Sequence, residues 1–197
     1  MQPLDRQLRF AAEADRLKTV LRQSRILDGS RRENSAEHSW HLALMAAVLR
    51  DHAPAGTDLG RVTVMLLIHD LVEIDAGDLF AYAGQQAQAR QEDAERAAAD
   101  RIFALLPGPQ AAEFRALWDE FEERRTPEAK FARALDRLQP MLANYQLGGG
   151  TWPDHGVTAD QVLDKVALIE DGSATLGRYA RELVQSAVDR GFLAPAR

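Results

Sequence analysis

The feature that most constrains the fold is a helical texture along nearly the whole chain. Ala, Leu, Arg, Glu and Gln dominate the sequence, and no run of residues alternates with period two over the length of a strand. This pattern predicts helices at residues 4–22, 36–51, 59–73, 85–106, 110–123, 127–144, 158–170 and 173–191. We therefore expect an all-α fold, a bundle of about eight helices that forms a single domain over residues 1–197.

Composition excludes several classes of site and partner. The sequence contains no cysteine, so disulfides, thiolate metal sites and cysteine nucleophiles are ruled out, and any metal must be bound through nitrogen and oxygen. The net charge of -6 argues against nucleic acid as a partner, because non-specific binding to nucleic acid needs a basic face. The start of the sequence lacks a signal peptide, and no apolar run approaches the ~18 residues of a membrane span. We therefore expect a cytoplasmic protein without a membrane partner.

The second and third predicted helices carry the clearest local signals. Asn34 and Glu37 have the spacing of a capping box, which predicts that the second helix begins there. Trp40, Leu44 and Val48 follow at i, i+4 and i+8, a row that we expect to face the core. The third helix is apolar almost all round, which predicts a central, buried helix.

A histidine and an aspartate interrupt the end of that apolar third helix. His69 and Asp70 are costly to bury unless they are paired with a neighbour or bind a metal, and the dipeptide alone leaves both alternatives open. His38 lies in the first turn of the predicted helix 36–51, and Asp136 interrupts the predicted helix 127–144 far downstream. Two imidazoles and two carboxylates from three helices form a set suited to a borderline divalent cation.

The order His … His-Asp … Asp resembles that of the HD-domain phosphohydrolase superfamily. The segments RRENSAEHS, LLIHDLVEIDAGD and KFARALDRLQP are similar to the small HD-domain 5'-deoxynucleotidase family. The resemblance covers about residues 13–145, which leaves 158–191 as a helical C-terminal extension. It implies a homodimer and one divalent metal ion (Mn, Co, Fe, Ni, Mg or Zn). The ligands implied by the resemblance are His38, His69, Asp70 and Asp136.

The same resemblance implies roles for four further residues. Glu73 would transfer a proton, and Asp78 would position water or contact substrate; alternatively, Glu73 is a solvated charge and Asp78 a helix cap. Arg22 aligns with a substrate-binding arginine of the family, and Gln23 replaces the tryptophan of the bacterial pattern. That replacement removes an aromatic ring that helps to select the sugar.

The implied reaction is hydrolysis of a deoxyribonucleoside or ribonucleoside 5'-monophosphate to nucleoside and phosphate. Alternatives are a dNTP or guanosine-tetraphosphate hydrolase on the same scaffold, or a metal-stabilised helical module without catalytic activity. We expect His41 to support the site or pack beside it rather than bind the metal directly. The glycine-rich segment at 148–156 is expected to end a helix rather than border the site.

Overall fold

The computed structural model describes residues 2–196, which contain nine α-helices and one two-stranded sheet. The elements in chain order are α1 (Pro3–Ala14), β1 (Leu21–Arg25), β2 (Arg32–Asn34), α2 (Ser35–Val48), α3 (Leu59–Ile68), α4 (Glu73–Ala76), α5 (Gln85–Phe103), α6 (Gly108–Glu123), α7 (Pro127–Gln146), α8 (Ala159–Gly172) and α9 (Ala174–Asp189). Since α4 is a single turn, eight helices carry the architecture, and the expected all-α fold is confirmed. No helix within residues 2–196 is long and apolar enough to cross a membrane.

The centre of the molecule is formed by α3 and α7. Helix α7 packs against α2, α3, α6, α8 and α9, so most of the bundle surrounds it. Helix α3 buries Val62, Met65, Leu66 and Ile68, which confirms the prediction of a central helix. One continuous apolar cluster extends from α2 to α9 and includes Trp118. Polar residues of α3 and α7 that face this cluster are therefore shielded from water.

The first predicted helix, 4–22, is wrong at its C-terminal end. Helix α1 ends at Ala14, a 3₁₀ turn covers Asp15–Thr19, and β1 follows and pairs with β2 in an antiparallel hairpin. The polar strand Leu21–Arg25 is too short to show a period-two pattern, and its pairing with β2 is not a property of local sequence. The difference matters because Arg22 and Gln23 lie on a strand rather than on a helix.

The predicted core row on α2 is also wrong. Trp40, Leu44 and Val48 are 62%, 47% and 69% exposed. The helix instead buries His38 and Leu42 on its other apolar side, together with Met45 and Ala46. Because α2 is apolar on both sides, spacing alone does not decide which side faces the core. The capping box of Asn34 and Glu37 is confirmed.

The third predicted helix, 59–73, changes conformation where its polar residues begin. Helix α3 ends at Ile68, and His69–Val72 continue as a 3₁₀ turn before α4. Gly77 then adopts a φ of 74°, a left-handed conformation that glycine tolerates and that reverses the chain direction. This reversal brings Asp78 back towards the residues at the end of α3.

Candidate functional site

Three of the four predicted metal ligands lie together in the core. His38, His69 and Asp136 each offer a ligand atom, and these atoms all lie within 4.8 Å of one another. The three side chains are buried, and they come from α2, the 3₁₀ turn after α3, and α7. Asp136 directs Oδ1 towards both rings, 3.2 Å from His38 Nε2 and 3.8 Å from His69 Nε2.

Hydrogen bonds at the far nitrogens fix how the two rings are presented. His69 Nδ1 lies 2.9 Å from the Leu66 carbonyl, which can only accept, so Nδ1 carries the proton. His38 Nδ1 lies 3.2 Å from Gln139 Oε1, which likewise accepts a hydrogen bond. In both residues Nε2 therefore faces the group, the arrangement found in metal-ligating histidines.

Asp70 lies beside this three-residue group rather than within it. Its Oδ1 is 2.9 Å from His69 Nε2, and its Oδ2 accepts a hydrogen bond of 2.7 Å from Arg22 Nη1. Burial opposes ionisation, but the neighbouring His69 and the charge of Arg22 outweigh it and hold the pKa of Asp70 well below its usual range. Asp70 is thus an ionised carboxylate at the edge of the group, paired with the arginine of β1.

Glu73 and Asp78 are both buried against the same arginine. Arg22 Nη1 lies 3.9 Å from Glu73 Oε1 and 3.8 Å from Asp78 Oδ1. Burial, reinforced by the charge of Asp70, raises the pKa of Glu73 well above its usual value, and Ser35 Oγ donates a 2.6 Å hydrogen bond to Glu73 Oε2. Burial also raises the pKa of Asp78. Glu73 is 8% exposed, which rules out the alternative of a solvated helix-end charge.

A buried polar network behind His38 was not anticipated from the sequence. Gln139 Nε2 donates to Glu33 Oε1 at 2.9 Å and to His41 Nδ1 at 3.3 Å, while its Oε1 accepts from His38. Glu33 is 4% exposed and lies 3.6 Å from His38 Nδ1. Nothing in the local sequence predicts that Glu33 of β2 is buried, because its burial results from packing against α7. His41 contacts this network and lies outside the three-residue metal group.

The group opens into a cavity of about 260 Å³. Gln23 lines it, as do the turn after α4, one side of α5, and parts of α6, α7 and α8. The expectation that the glycine-rich segment 148–156 does not border the site is wrong in part. Thr151 also lines the cavity, and His155 packs on Phe80 with ring centroids 4.3 Å apart. The C-terminal part of the chain therefore closes one wall of the site.

The residues at the base of the cavity suit a divalent metal ion. His69 Nε2 is buried and makes no hydrogen bond among residues 2–196, although Asp70 Oδ1 lies 2.9 Å away. A buried, unpaired nitrogen is costly, and a metal ion would satisfy it. Two imidazole nitrogens with carboxylate oxygens form a donor set that borderline divalent cations favour.

Several known proteins are similar to this chain. The chain is similar to the 5'-deoxynucleotidase HDDC2 of Xenopus laevis, with 32% identity over 110 residues, and spans only 53% of that protein while 56% of this chain is covered. For the 5'-deoxynucleotidase HDDC2 of Danio rerio the identity is 28% over 144 residues, covering 73% of this chain and 70% of that protein. The chain thus spans 53% and 70% of the lengths of these two curated relatives.

One solved structure is similar over nearly the full length. A crystal structure described as a predicted metal-dependent phosphohydrolase from Magnetospirillum magnetotacticum MS-1 shares 55% identity with a TM-score of 0.94, covering 98% of this chain and 96% of that one. The profile of the HD domain family matches residues 14–176, a range that includes the candidate metal residues. Because this match covers well over half of the sequence, the chain belongs to the HD domain family.

Proposed function

We propose that the protein is a metal-dependent 5'-nucleotidase that hydrolyses deoxyribonucleoside or ribonucleoside 5'-monophosphates to nucleoside and phosphate. The observation that carries the proposal is the unpaired His69 Nε2, which faces His38 and Asp136 at the base of a cavity that also holds Arg22 and buried Glu73. The names of the 5'-deoxynucleotidase relatives support the same reaction class.

The chain supplies groups for each part of this reaction. A divalent ion held by His38, His69, Asp136 and the adjacent Asp70 would polarise the phosphate and lower the pKa of a water molecule. Arg22 provides a guanidinium that matches phosphate oxygens, and its ion pair with Asp70 holds it in the cavity within 4 Å of Glu73 and Asp78. Its position on β1 fixes where the phosphate binds.

The proton needed by the leaving 5'-oxygen comes from Glu73. Burial raises the pKa of Glu73, which favours the protonated carboxyl group that a general acid needs. Ser35 holds one carboxyl oxygen, so the other is free to face the cavity. Asp78, held by the backbone N–H of Gln23, is placed to orient water or the sugar.

A phosphate-release screen over ribonucleotides and deoxyribonucleotides, with Mg²⁺, Mn²⁺, Co²⁺, Fe²⁺, Ni²⁺ and Zn²⁺ each in turn, tests this proposal and identifies the active metal. We expect release from 5'-monophosphates with at least one of these ions. Parallel assays with dNTPs and guanosine tetraphosphate distinguish the alternative hydrolases. Bound metal without release from any nucleotide would favour the non-catalytic helical module instead.

We also propose a homodimer formed through the exposed row of α2. Trp40, Leu44 and Val48 lie along one side of the helix, and a straight apolar row can pack against the same row of a second copy about a two-fold axis. Light scattering should therefore give twice the mass of the chain, and Leu44→Glu should give the mass of one chain. Exposed Leu8→Glu on α1 is the matched control and should leave the dimer intact.

The cytoplasmic location and the absence of a nucleic-acid partner stay predictions from the sequence. Cell fractionation tests the first of them. Filter binding to RNA and DNA at physiological salt tests the second, and a salt-dependent dissociation constant in the micromolar range or below would contradict it.

A further inference from the structure

Cationic side chains accumulate on the cavity wall beyond the proposed metal group. The four concerned are Arg124, Arg133, Arg137 and Lys165. They come from the end of α6, from α7 and from α8, so only the tertiary structure brings them together. In a protein of net charge -6, four cations on one wall are not a consequence of overall composition.

One of these cations is already neutralised. Arg133 Nη1 donates a 3.1 Å hydrogen bond to Asp136 Oδ2, and its Nη2 lies 3.7 Å from Glu122 Oε2. Its guanidinium also lies 4.9 Å from the centre of the Phe121 ring. Arg133 therefore orients Asp136 and supports the wall rather than binding a ligand.

The other three cations lack comparable partners. Arg124 Nη2 is 3.6 Å from Glu122 Oε2 and Arg137 Nε is 3.5 Å from Asp136 Oδ2, both beyond good hydrogen-bonding distance. Nε of each arginine, like that of Arg133, is buried without a hydrogen-bond partner among residues 2–196. Such groups are costly unless a ligand satisfies them.

Lys165 is the third of these cations. Within residues 2–196 it forms no ion pair, and its Nζ lies 5.8 Å from the centre of the Tyr82 ring. Burial, followed by the charges of Arg137 and Arg133, lowers the pKa of Lys165. The ammonium group thus experiences repulsion from the neighbouring arginines that an anion would relieve.

The backbone at Arg124 gives an independent indication. Arg124 ends α6 with a φ of 57°, and it is the one residue other than glycine with positive φ within the described part of the chain. This conformation is less favourable for a residue with a side chain than for glycine. An arginine in a position that favours glycine is consistent with a function for its guanidinium.

We propose that Arg124, Arg137 and Lys165 form a second anion subsite that binds a second phosphate group of the nucleotide. The inference rests on the proposed function, since the scissile phosphate occupies the site formed by Arg22 and the His-Asp group. Guanidinium and ammonium groups are the side chains that bind phosphate best. The second phosphate is attached either at the 3'-oxygen or to the 5'-phosphate, and these two sources are separate arms of the test.

Calorimetric titration of the metal-loaded protein tests the proposal, using a Glu73→Gln background to slow hydrolysis. The ligands are deoxyadenosine 5'-monophosphate, 3',5'-bisphosphate and 5'-diphosphate. We expect at least one ligand with two phosphates to bind tenfold or more tightly than the monophosphate, with an advantage that shrinks as salt rises. Lys165→Met and Arg124→Gln should each reduce that ratio by about fivefold or more.

Matched controls are available on the same helices or beside them. Arg125→Gln removes the exposed neighbour of Arg124, and Lys130→Met removes an exposed lysine that pairs with Asp171; both should preserve the ratio. Equal affinity for all three ligands in the parent protein would overturn the proposal. So would variants that weaken the monophosphate and the two-phosphate ligands by the same factor, or that lower the melting temperature as their main effect.

Separate measurements test the proposed function and the proposed second anion subsite. Phosphate release by the wild-type protein from the 5'-monophosphate is measured in a separate assay and tests the proposed function. The ratio of binding constants does not depend on turnover, so it tests the second subsite whether or not phosphate is released.

Discussion

Arg22 Nη1 lies 2.7 Å from Asp70 Oδ2, which joins the hairpin at the start of the chain to the end of the central helix α3. The same guanidinium lies within 4 Å of Glu73 and Asp78. One cation therefore faces three buried carboxyl groups, and burial together with this excess of acid raises the pKa of Glu73 and Asp78 while Asp70 stays ionised. The ion pair of Arg22 and Asp70 links the proposed phosphate site to the proposed metal site.

Removing a metal ligand should abolish metal content and activity together. Asp70→Ala or Asp136→Ala deletes a carboxylate charge and a coordination position at once, so elemental analysis should find less than one tenth of the wild-type metal. His41→Ala should retain the metal, because His41 contacts Gln139 and lies outside the group. Exposed Asp51→Ala is the control. Metal loss in His41→Ala with retention in His38→Ala would reverse the assignment.

Glu73→Gln should separate proton transfer from metal binding. The amide keeps the shape and the contact with Ser35 but has no acidic proton, so kcat should fall roughly 10²-fold or more while metal content stays near the wild-type value. Asp75→Asn, on the same short helix but paired with Arg101 at the surface, should stay within about twofold of wild type. An unchanged rate in Glu73→Gln would show that another group supplies the proton.

Gln23 should weaken discrimination between deoxyribose and ribose. The side chain lines the cavity, and its amide can hydrogen-bond a 2'-hydroxyl where an aromatic ring would exclude it. We expect kcat/KM for deoxyribonucleotides to exceed that for ribonucleotides by at most ~10-fold, or ~1.4 kcal/mol. Gln23→Trp should shift the ratio towards deoxy substrates. Arg22→Ala should raise KM for both sugars alike, and a wild type that rejects ribonucleotides a thousandfold would contradict the idea.

Glu95 should make the free energy of unfolding fall as pH rises. Burial raises the pKa of this cavity-lining carboxyl to about 7 from 4.5, so the folded state binds more protons than the unfolded state between these values. The stability contributed by the protonated form is present below pH 4.5 and is lost as pH rises through 7. Glu95→Gln should therefore be more stable than wild type at pH 8, by about 1–2 kcal/mol after allowance for solvent screening.

Urea unfolding of metal-free protein from pH 4.5 to 8.5 measures this effect. Exposed Asp93→Asn on the same helix is the control and should follow the wild-type curve more closely. A Glu95→Gln variant with the same pH dependence as wild type would show that Glu95 is ionised in the folded protein throughout this range.

Local sequence determined the helices and the positions at which polar residues interrupt apolar helices. His69 and Asp70 at the end of α3, Asp136 within α7 and the cap at Asn34 are all visible as departures from a local pattern, since helix periodicity depends only on near neighbours. The roles assigned to these residues through the family resemblance stay predictions until tested.

Only the tertiary structure decided which of these residues meet, and what surrounds them. His38 and Asp136 are 98 residues apart, and their contact follows from how α2 and α7 pack rather than from either sequence segment. The strand that carries Arg22, the buried network around Gln139 and the cationic wall with Lys165 arise in the same way. The exposed side of α2 shows most clearly what the local sequence leaves undecided. Both of its sides are apolar, and the free energy of burying one or the other depends on the neighbouring helices, which the local sequence does not contain.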